Sequence, residues 1–125
     1  YVTRQDCAYA AAAALSSAFR GKRMLEITGP SMVTYAELAQ IVTTLCGMRV
    51  DYVPMDPDAM THATVNQTGM PESVAKLFVS FDVGIASGYF GPVSAAFREI
   101  TGKRPTSVSE FLSANWGALI PAAGR

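Results

Sequence analysis

YVTRQDCA, residues 1–8, contains a short β-prone segment that is followed directly by the start of an alanine-rich helix. Thr3 is the expected N-cap of this helix, and Asp6, three positions later, resembles the acidic partner of a capping box. The helical spacing of small and apolar residues continues to about Phe19. The sequence therefore predicts a first helix whose alanine face allows another backbone to pack closely.

Capping signals also mark the helices that follow. Thr34 and Glu37 form a Thr-x-x-Glu capping box, and Ser107 and Glu110 form a similar one. Asp56 precedes a proline, which predicts a helix from about residue 57 to residue 67. Shorter signals predict a helix near residues 94–101 and a longer one after residue 71. The longer helix carries the largest hydrophobic stripe in the chain, at Val74, Leu77, Phe78, Phe81 and Ile85.

Two segments between the helices have the composition of strands. The segment from Arg23 to Thr28 is apolar on both faces, which is typical of a strand inside a larger sheet. Residues 49–53 alternate like a half-buried strand, and residues 1–3 are also β-prone. The expected fold class is α+β, predominantly helical with two or three short strands. One domain over residues 1–125 is expected, with a frayed tail at residues 121–125.

Composition narrows the classes of partner. Half of the 125 residues are apolar and 16% are charged, against about a quarter charged in an average domain, so some apolar surface is expected to be covered. Ten basic and ten acidic residues cancel, which argues against nucleic acid as a partner.

Cys7 and Cys46 are expected to be reduced core residues. Without a signal peptide or a long apolar run, a cytoplasmic protein with no membrane partner is expected.

The residues that could carry chemistry do not form a catalytic, cofactor or metal motif. Gly84, Gly88 and Gly91 follow a helix and have the wrong spacing for a dinucleotide loop. The two cysteines and His62 are far apart in sequence, which argues against a metal site. His62 has no visible orienting partner, so a partly exposed side chain is favoured over a proton donor in a cleft. No catalytic, cofactor-binding or metal-ligating residue is therefore assigned.

Binding remains as a candidate activity of the chain. Aromatic and methionine side chains surround a Gly-Pro break and a glycine-rich stretch, where flat apolar surface could line a pocket for a planar ligand. The same spacing is also typical of an ordinary hydrophobic core. The candidate pocket residues are Met70, Phe78, Phe81, Tyr89 and Phe90.

The order and spacing of several motifs resemble the C-terminal region of NmrA-like atypical short-chain dehydrogenases, of the NAD(P)H:quinone oxidoreductase type. The similarity extends to about residue 119. The motifs are YVTRQDCA at 1–8, LEITGP at 25–30, TYAELA at 34–39, GMPE at 69–72, FD at 81–82 and GKRP at 102–105.

The resemblance implies a fold and a division of labour. In that family, an N-terminal Rossmann domain carries the glycine-rich NAD(P) loop, and a smaller C-terminal part closes over the cofactor and shapes the substrate cleft. Arg4 and Asp6 match residues at the junction of the two parts. The segment from Arg23 to Thr28 matches a strand of the main parallel sheet. The chain is thus expected to be the C-terminal portion of an NAD(P)-binding Rossmann-type protein.

The resemblance implies that the chain is the substrate-binding portion of a quinone oxidoreductase-like protein. The chain alone is expected to bind no cofactor and to transfer no hydride. NAD(P)H is the cofactor implied for the parent family. The expected partner is a Rossmann half outside the chain, or a second copy of the chain through the segment from Arg23 to Thr28. Two alternatives remain open. One is a non-enzymatic NmrA-like sensor or interaction module, and the other is a stand-alone binder of small planar ligands.

Overall fold

The computed structural model describes residues 1–119 of the chain. Within them, two compact units are distinguished: residues 1–52 together with the described residues from 92 onward, and residues 53–91. The helices are α1 (Arg4–Ser16), α2 (Tyr35–Cys46), α3 (Pro57–Thr68), α4 (Glu72–Ala86), α5 (Ala96–Thr101) and α6 (Val108–Leu119). The second unit contains α3 and α4, and the first unit contains the other helices.

The predicted caps of α2, α3 and α6 are confirmed, and Thr3 is the N-cap of α1, although Asp6 accepts from the Thr3 hydroxyl rather than from its N–H. The Thr34 hydroxyl accepts a hydrogen bond from the Glu37 N–H at 3.1 Å, and the Glu37 carboxylate accepts one from the Thr34 N–H at 2.7 Å. Ser107 and Glu110 exchange the same pair of bonds at the start of α6. At α3, the Asp56 carboxylate accepts from two backbone N–H groups of the first turn. Each pairing satisfies donors that a helix N-terminus leaves without partners.

Helix α1 differs from its prediction at its C-terminal end. It ends at Ser16 rather than near Phe19, and Ser17 is already extended. The hydroxyl groups of both serines donate to carbonyls of the last turn, including that of Ala12, and such local bonds compete with continuation of the helix.

The prediction that both cysteines are core residues is wrong, because Cys7 is exposed and Cys46 is only half-buried.

The prediction of two or three short strands is wrong, because residues 1–119 contain none. A strand exists only where its backbone groups pair with a neighbour. Among the described residues, the backbone of residues 23–28 forms no hydrogen bond to another backbone group. In the second segment, the N–H and C=O of Val50 bond to the Thr43 hydroxyl instead. The sequence patterns located segments outside the helices but could not supply the strands that would pair with them.

The core of the first unit lies where α1 packs against α5. Phe97 is 2% exposed, and its ring centroid lies 6.5 Å from that of Tyr9, with the rings tilted by 42°. Ala10 and Ala96 are buried in the same unit, so the alanine face of α1 gives the close approach predicted for it. Helix α2 packs against α6.

The second unit is a pair of helices, α3 packed against α4. Its buried residues include Ala75 and Val79 on α4 and Thr61 on α3. The Thr61 hydroxyl donates to the Pro57 carbonyl at 2.9 Å, so the buried polar atom has a partner, as such atoms require. In neither unit does a described helix have the length and apolar character needed to cross a membrane. The predicted frayed tail at 121–125 lies outside the described residues.

Candidate ligand-binding surface

Helix α4 has one buried face and one exposed apolar face. The buried face carries Ala75 and Val79. Phe78 and Phe81 lie three residues apart on a different side, and Phe81 is 50% exposed. The other members of the stripe predicted from the sequence, Val74, Leu77 and Ile85, are exposed as well. The stripe is therefore not the buried face of α4, and the structure does not place it in an ordinary core.

Tyr89 and Phe90 fold back onto the C-terminal end of α4. The chain reverses at Gly88, whose φ of 80° lies in the left-handed region that glycine adopts without strain. The Tyr89 N–H then donates to the Gly84 carbonyl at 3.1 Å. A ring atom of Phe90 lies 3.1 Å from the position that a Cβ atom on Gly84 would occupy. Gly84 is thus buried next to the two rings, whereas Tyr89 itself remains 82% exposed.

Gly84 is the residue that sequence reasoning missed. The spacing of glycines drew attention only to a phosphate loop, which the context excluded. The signal that could have identified this packing role is a glycine inside a helix, followed by a second glycine and two aromatic residues. A helical glycine weakens its helix by about 1 kcal/mol relative to alanine, so its presence there calls for a packing reason.

Met70 occupies the turn between α3 and α4. It follows Gly69, the C-cap of α3 with a φ of 69°, and its N–H donates to the Thr68 hydroxyl at 3.3 Å. Its side chain is half-buried. All five predicted pocket residues therefore belong to the unit formed by residues 53–91. We call Phe78, Phe81, Tyr89 and Phe90 the aromatic surface of α4.

Helix α4 carries three charged residues: Glu72 and Lys76 pair with each other, and Asp82 follows Phe81 one turn after Phe78. The Glu72 carboxylate pairs with the Lys76 ammonium at 2.7 Å, and this hydrogen bond lowers the pKa of Glu72 and raises that of Lys76. His62 is exposed and adds only a weak electrostatic effect on Glu72. No group of three or more metal-ligating side chains occurs in the part of the chain that the structure describes. The stripe itself is suited to contact an uncharged ligand.

In the other unit, Asp6 connects the start of α1 to the segment before α6. Its carboxylate accepts hydrogen bonds from the Thr3 hydroxyl at 2.8 Å and from the Thr106 N–H at 2.9 Å. The Thr106 hydroxyl adds a third bond at 3.3 Å. Arg4, the other predicted junction residue, is the exposed first residue of α1.

Two open grooves occur in the first unit, and neither is lined by a predicted pocket residue. One, of about 570 Å³, runs between α1 and α5; the other, of about 470 Å³, runs along α2. The first is lined by Tyr9, Ala12, Ala13, Ser16, Ser17, Ile100 and Thr101. Since the aromatic surface of α4 is itself exposed, a ligand would contact it from one side.

No family model matches the chain, but individual proteins do. An uncharacterized oxidoreductase of Bacillus subtilis is 33% identical over 89 residues, which are 71% of this chain and 31% of that protein. Quinone oxidoreductase 2 of Escherichia coli is 30% identical over 111 residues, which are 89% of this chain and 38% of that protein. The chain thus spans less than half the length of these relatives.

Solved structures agree with these sequence matches. The Escherichia coli NADPH-dependent quinone oxidoreductase in complex with NADPH superposes with a TM-score of 0.85 and 28% identity, over 92% of this chain and 40% of that one. The chain belongs to the NmrA-like atypical short-chain dehydrogenases of the quinone oxidoreductase type. Within this family, the triphenylmethane reductase of Citrobacter, solved with NADP(H), gives a TM-score of 0.83 at 26% identity, over 90% of this chain and 39% of that one.

Membership of this family explains the corrected strand prediction. Its solved members are NAD(P)-binding Rossmann-type proteins, and parallel sheets of that type are built from strands covered on both faces. The segment from Arg23 to Thr28 has that apolar pattern, but residues 1–119 provide no strand beside it. The described residues therefore do not form the strand that this pattern predicts.

Proposed function

We propose that this chain is the substrate-side portion of an NAD(P)-dependent quinone oxidoreductase-like protein. The observation that carries the proposal is the superposition on the NADPH-bound Escherichia coli enzyme, which uses 92% of this chain but only 40% of that one. Over that share, the backbone of this chain follows the backbone of an enzyme that reduces quinones with NADPH. The remaining part of such an enzyme is where the cofactor site is expected.

The proposal assigns the two tasks of the enzyme to different stretches of sequence. A dinucleotide site needs a glycine-rich loop between a strand and a helix, so that helix N–H groups meet the pyrophosphate. The sequence of the chain has no such loop. NAD(P)H would therefore be held by a Rossmann half, and the present chain would not transfer hydride without it.

The substrate side of the proposal rests on the aromatic surface of α4. Phe78 and Phe81 expose about half of their surface on one side of the helix, and Tyr89 and Phe90 are exposed at its end. Aromatic rings favour stacked or edge-to-face contacts with other rings, each worth about 0.5–1.5 kcal/mol beyond the burial of area. A quinone is flat and uncharged, which suits a surface formed by aromatic side chains.

Replacing Phe81 by alanine is expected to weaken quinone binding about five-fold, because one stacking partner is removed. The probe is 2,3-dimethyl-1,4-naphthoquinone, whose fully substituted quinone ring resists addition of the exposed Cys7 thiol. Titration of the isotope-labelled chain, followed by NMR, gives the dissociation constant. Phe111→Ala is the matched control, since Phe111 on α6 is 42% exposed, close to the 50% of Phe81. Equal weakening in both variants would contradict the assignment of the aromatic surface.

A second candidate function is that of an interaction module, favoured by one observation on residues 23–28. Their backbone forms no hydrogen bond to another backbone group among the described residues, and Met24 is 91% exposed. Backbone groups left open in an apolar segment invite pairing with another chain. The proposed partner is a Rossmann half or, in its absence, a second copy of the chain.

Light scattering at high protein concentration tests this second candidate. The unmodified chain is expected to form dimers, and Met24→Lys is expected to return it to a monomer, because a charge on an open edge opposes pairing. Met32→Lys serves as the control, since Met32 is also an exposed methionine but lies outside residues 23–28. A monomeric unmodified chain would rule out self-association through this segment.

A further inference from the structure

We infer that Gly84 and Phe90 form the selectivity element of the aromatic surface of α4. The inference rests on the proposed function, because it concerns the size of the flat ligand that this surface accepts. It assigns a role to a glycine that carries no side chain and to a ring held by that glycine. Phe90 bounds the surface at the C-terminal end of α4, and Gly84 gives the ring its position.

The position of Phe90 depends on the missing side chain of Gly84. One Phe90 ring atom is 3.1 Å and another is 3.9 Å from the site of a Cβ atom on residue 84. A methyl group placed there would be tighter against the ring than ordinary carbon contacts of about 3.5–4.0 Å allow. An alanine at position 84 would therefore require the Phe90 ring to move by a few tenths of an ångström.

The backbone after α4 holds the two rings close to this site. Gly88 reverses the chain with a φ of 80°, and the Tyr89 N–H donates to the Gly84 carbonyl. A Tyr89 ring atom also lies 3.8 Å from the Cβ site, an ordinary van der Waals distance. The turn and the hydrogen bond thus hold the backbone of Tyr89 at the end of α4, although Tyr89 and Phe90 are both largely exposed.

The bounding role follows from helical spacing. Phe81 precedes Gly84 by three residues, and residues three apart are neighbours on a helix surface, with about 5–6 Å between Cβ atoms. Phe78 precedes Phe81 by another three residues, so Phe78, Phe81 and Gly84 form one row along the helix surface. A flat ligand lying along Phe78 and Phe81 consequently meets Phe90 at one end. The surface should discriminate by length, admitting a one-ring quinone more readily than an extended one.

Selectivity can be measured as the ratio of the dissociation constants of two fully substituted quinones. Duroquinone has one ring, and 2,3-dimethyl-1,4-naphthoquinone has two fused rings. Phe90→Ala is expected to shift this ratio about five-fold in favour of the two-ring quinone, because the boundary is removed. Gly84→Ala is expected to shift it in the same direction but by less, because the ring moves by only a few tenths of an ångström.

A double-mutant cycle identifies the cause of the shift. If Gly84 acts through Phe90, the double variant is expected to show the shift of Phe90→Ala alone, since coupled sites are non-additive. Gly117→Ala is the matched control: Gly117 is a helical glycine on α6, and a Cβ added there has no atom within 4 Å. The ratio is expected to be unchanged in that variant.

An independent readout needs no ligand. The α-protons of Gly84 lie close to the Phe90 ring, and their ring-current shift in the NMR spectrum is expected to disappear in Phe90→Ala. If the chain binds quinones but Phe90→Ala leaves the ratio of dissociation constants unchanged, the inference is overturned and the proposed function stands. Additive effects of Gly84→Ala and Phe90→Ala would have the same meaning. Failure of the unmodified chain to bind either quinone would overturn both.

Discussion

Replacing Phe97 by alanine is expected to lower the free energy of unfolding by about 3–5 kcal/mol, the range for a large aromatic residue removed from a core. Phe97 is 2% exposed and is the largest fully buried side chain among the described residues. It contacts the region where α1 packs against α5, beside the ring of Tyr9. Since small domains are stable by about 5–15 kcal/mol, this loss is a large fraction of the total stability.

Urea unfolding followed by circular dichroism measures the effect. Phe111→Ala removes the same side chain from a position that is 42% exposed, so a loss of about 1 kcal/mol or less is expected there, in line with the small effects of surface substitutions. Similar losses in the two variants would mean that α1 and α5 do not form the core of their unit.

Replacing Asp6 by alanine is expected to cost about 2–3 kcal/mol, because hydrogen bonds to a charged acceptor contribute about 1.5–3 kcal/mol each. The substitution leaves the Thr106 N–H and the Thr3 hydroxyl without their acceptor. It also removes the connection between the start of α1 and the segment before α6. Asp6→Asn keeps the shape and one acceptor oxygen, so a smaller loss is expected.

Asp51→Ala is the control for the loss of a carboxylate. Asp51 pairs with Arg49 at 2.9 Å on the surface, and such exposed pairs contribute about 0–1 kcal/mol. The urea midpoint is therefore expected to be lowest for Asp6→Ala, higher for Asp6→Asn and highest for Asp51→Ala. If Asp6→Ala is no less stable than Asp51→Ala, Asp6 does not connect the two segments in solution.

The starts of α2, α3 and α6 were predictable because each depends on a capping side chain two or three positions away from the backbone N–H that it binds. Thr34 with Glu37, and Ser107 with Glu110, form their bonds within one turn, so the sequence alone specifies them. The end of α1 was less predictable, since Ser16 and Ser17 compete for the last carbonyls. Local competition of this kind leaves no periodic signal.

The strands could not be predicted from local patterns, because a strand is defined by its partner. Residues 23–28 have the apolar composition of a covered strand, but the described residues provide no neighbour for them. The assignment of Cys7 to the core failed for a related reason. A helical apolar pattern identifies a face, whereas burial depends on what packs against it, and Cys7 is exposed.

The candidate surface shows the same limit. Phe78 and Phe81 were identified by spacing, yet that spacing could not decide between a core and a binding surface. Only the packing of α3 against the other side of α4 separates these possibilities. The contact of Phe90 with Gly84 depends on a chain reversal at Gly88, which glycine content suggests but does not specify.

Parallel titrations of this chain with NADPH and with 2,3-dimethyl-1,4-naphthoquinone test the proposed division of labour most directly. The expected result is saturable binding of the quinone, with NMR changes at Phe81 and Phe90, and no saturable binding of NADPH. Tight stoichiometric binding of NADPH, or the absence of any quinone binding, would contradict the assignment of this chain to the substrate side of the enzyme.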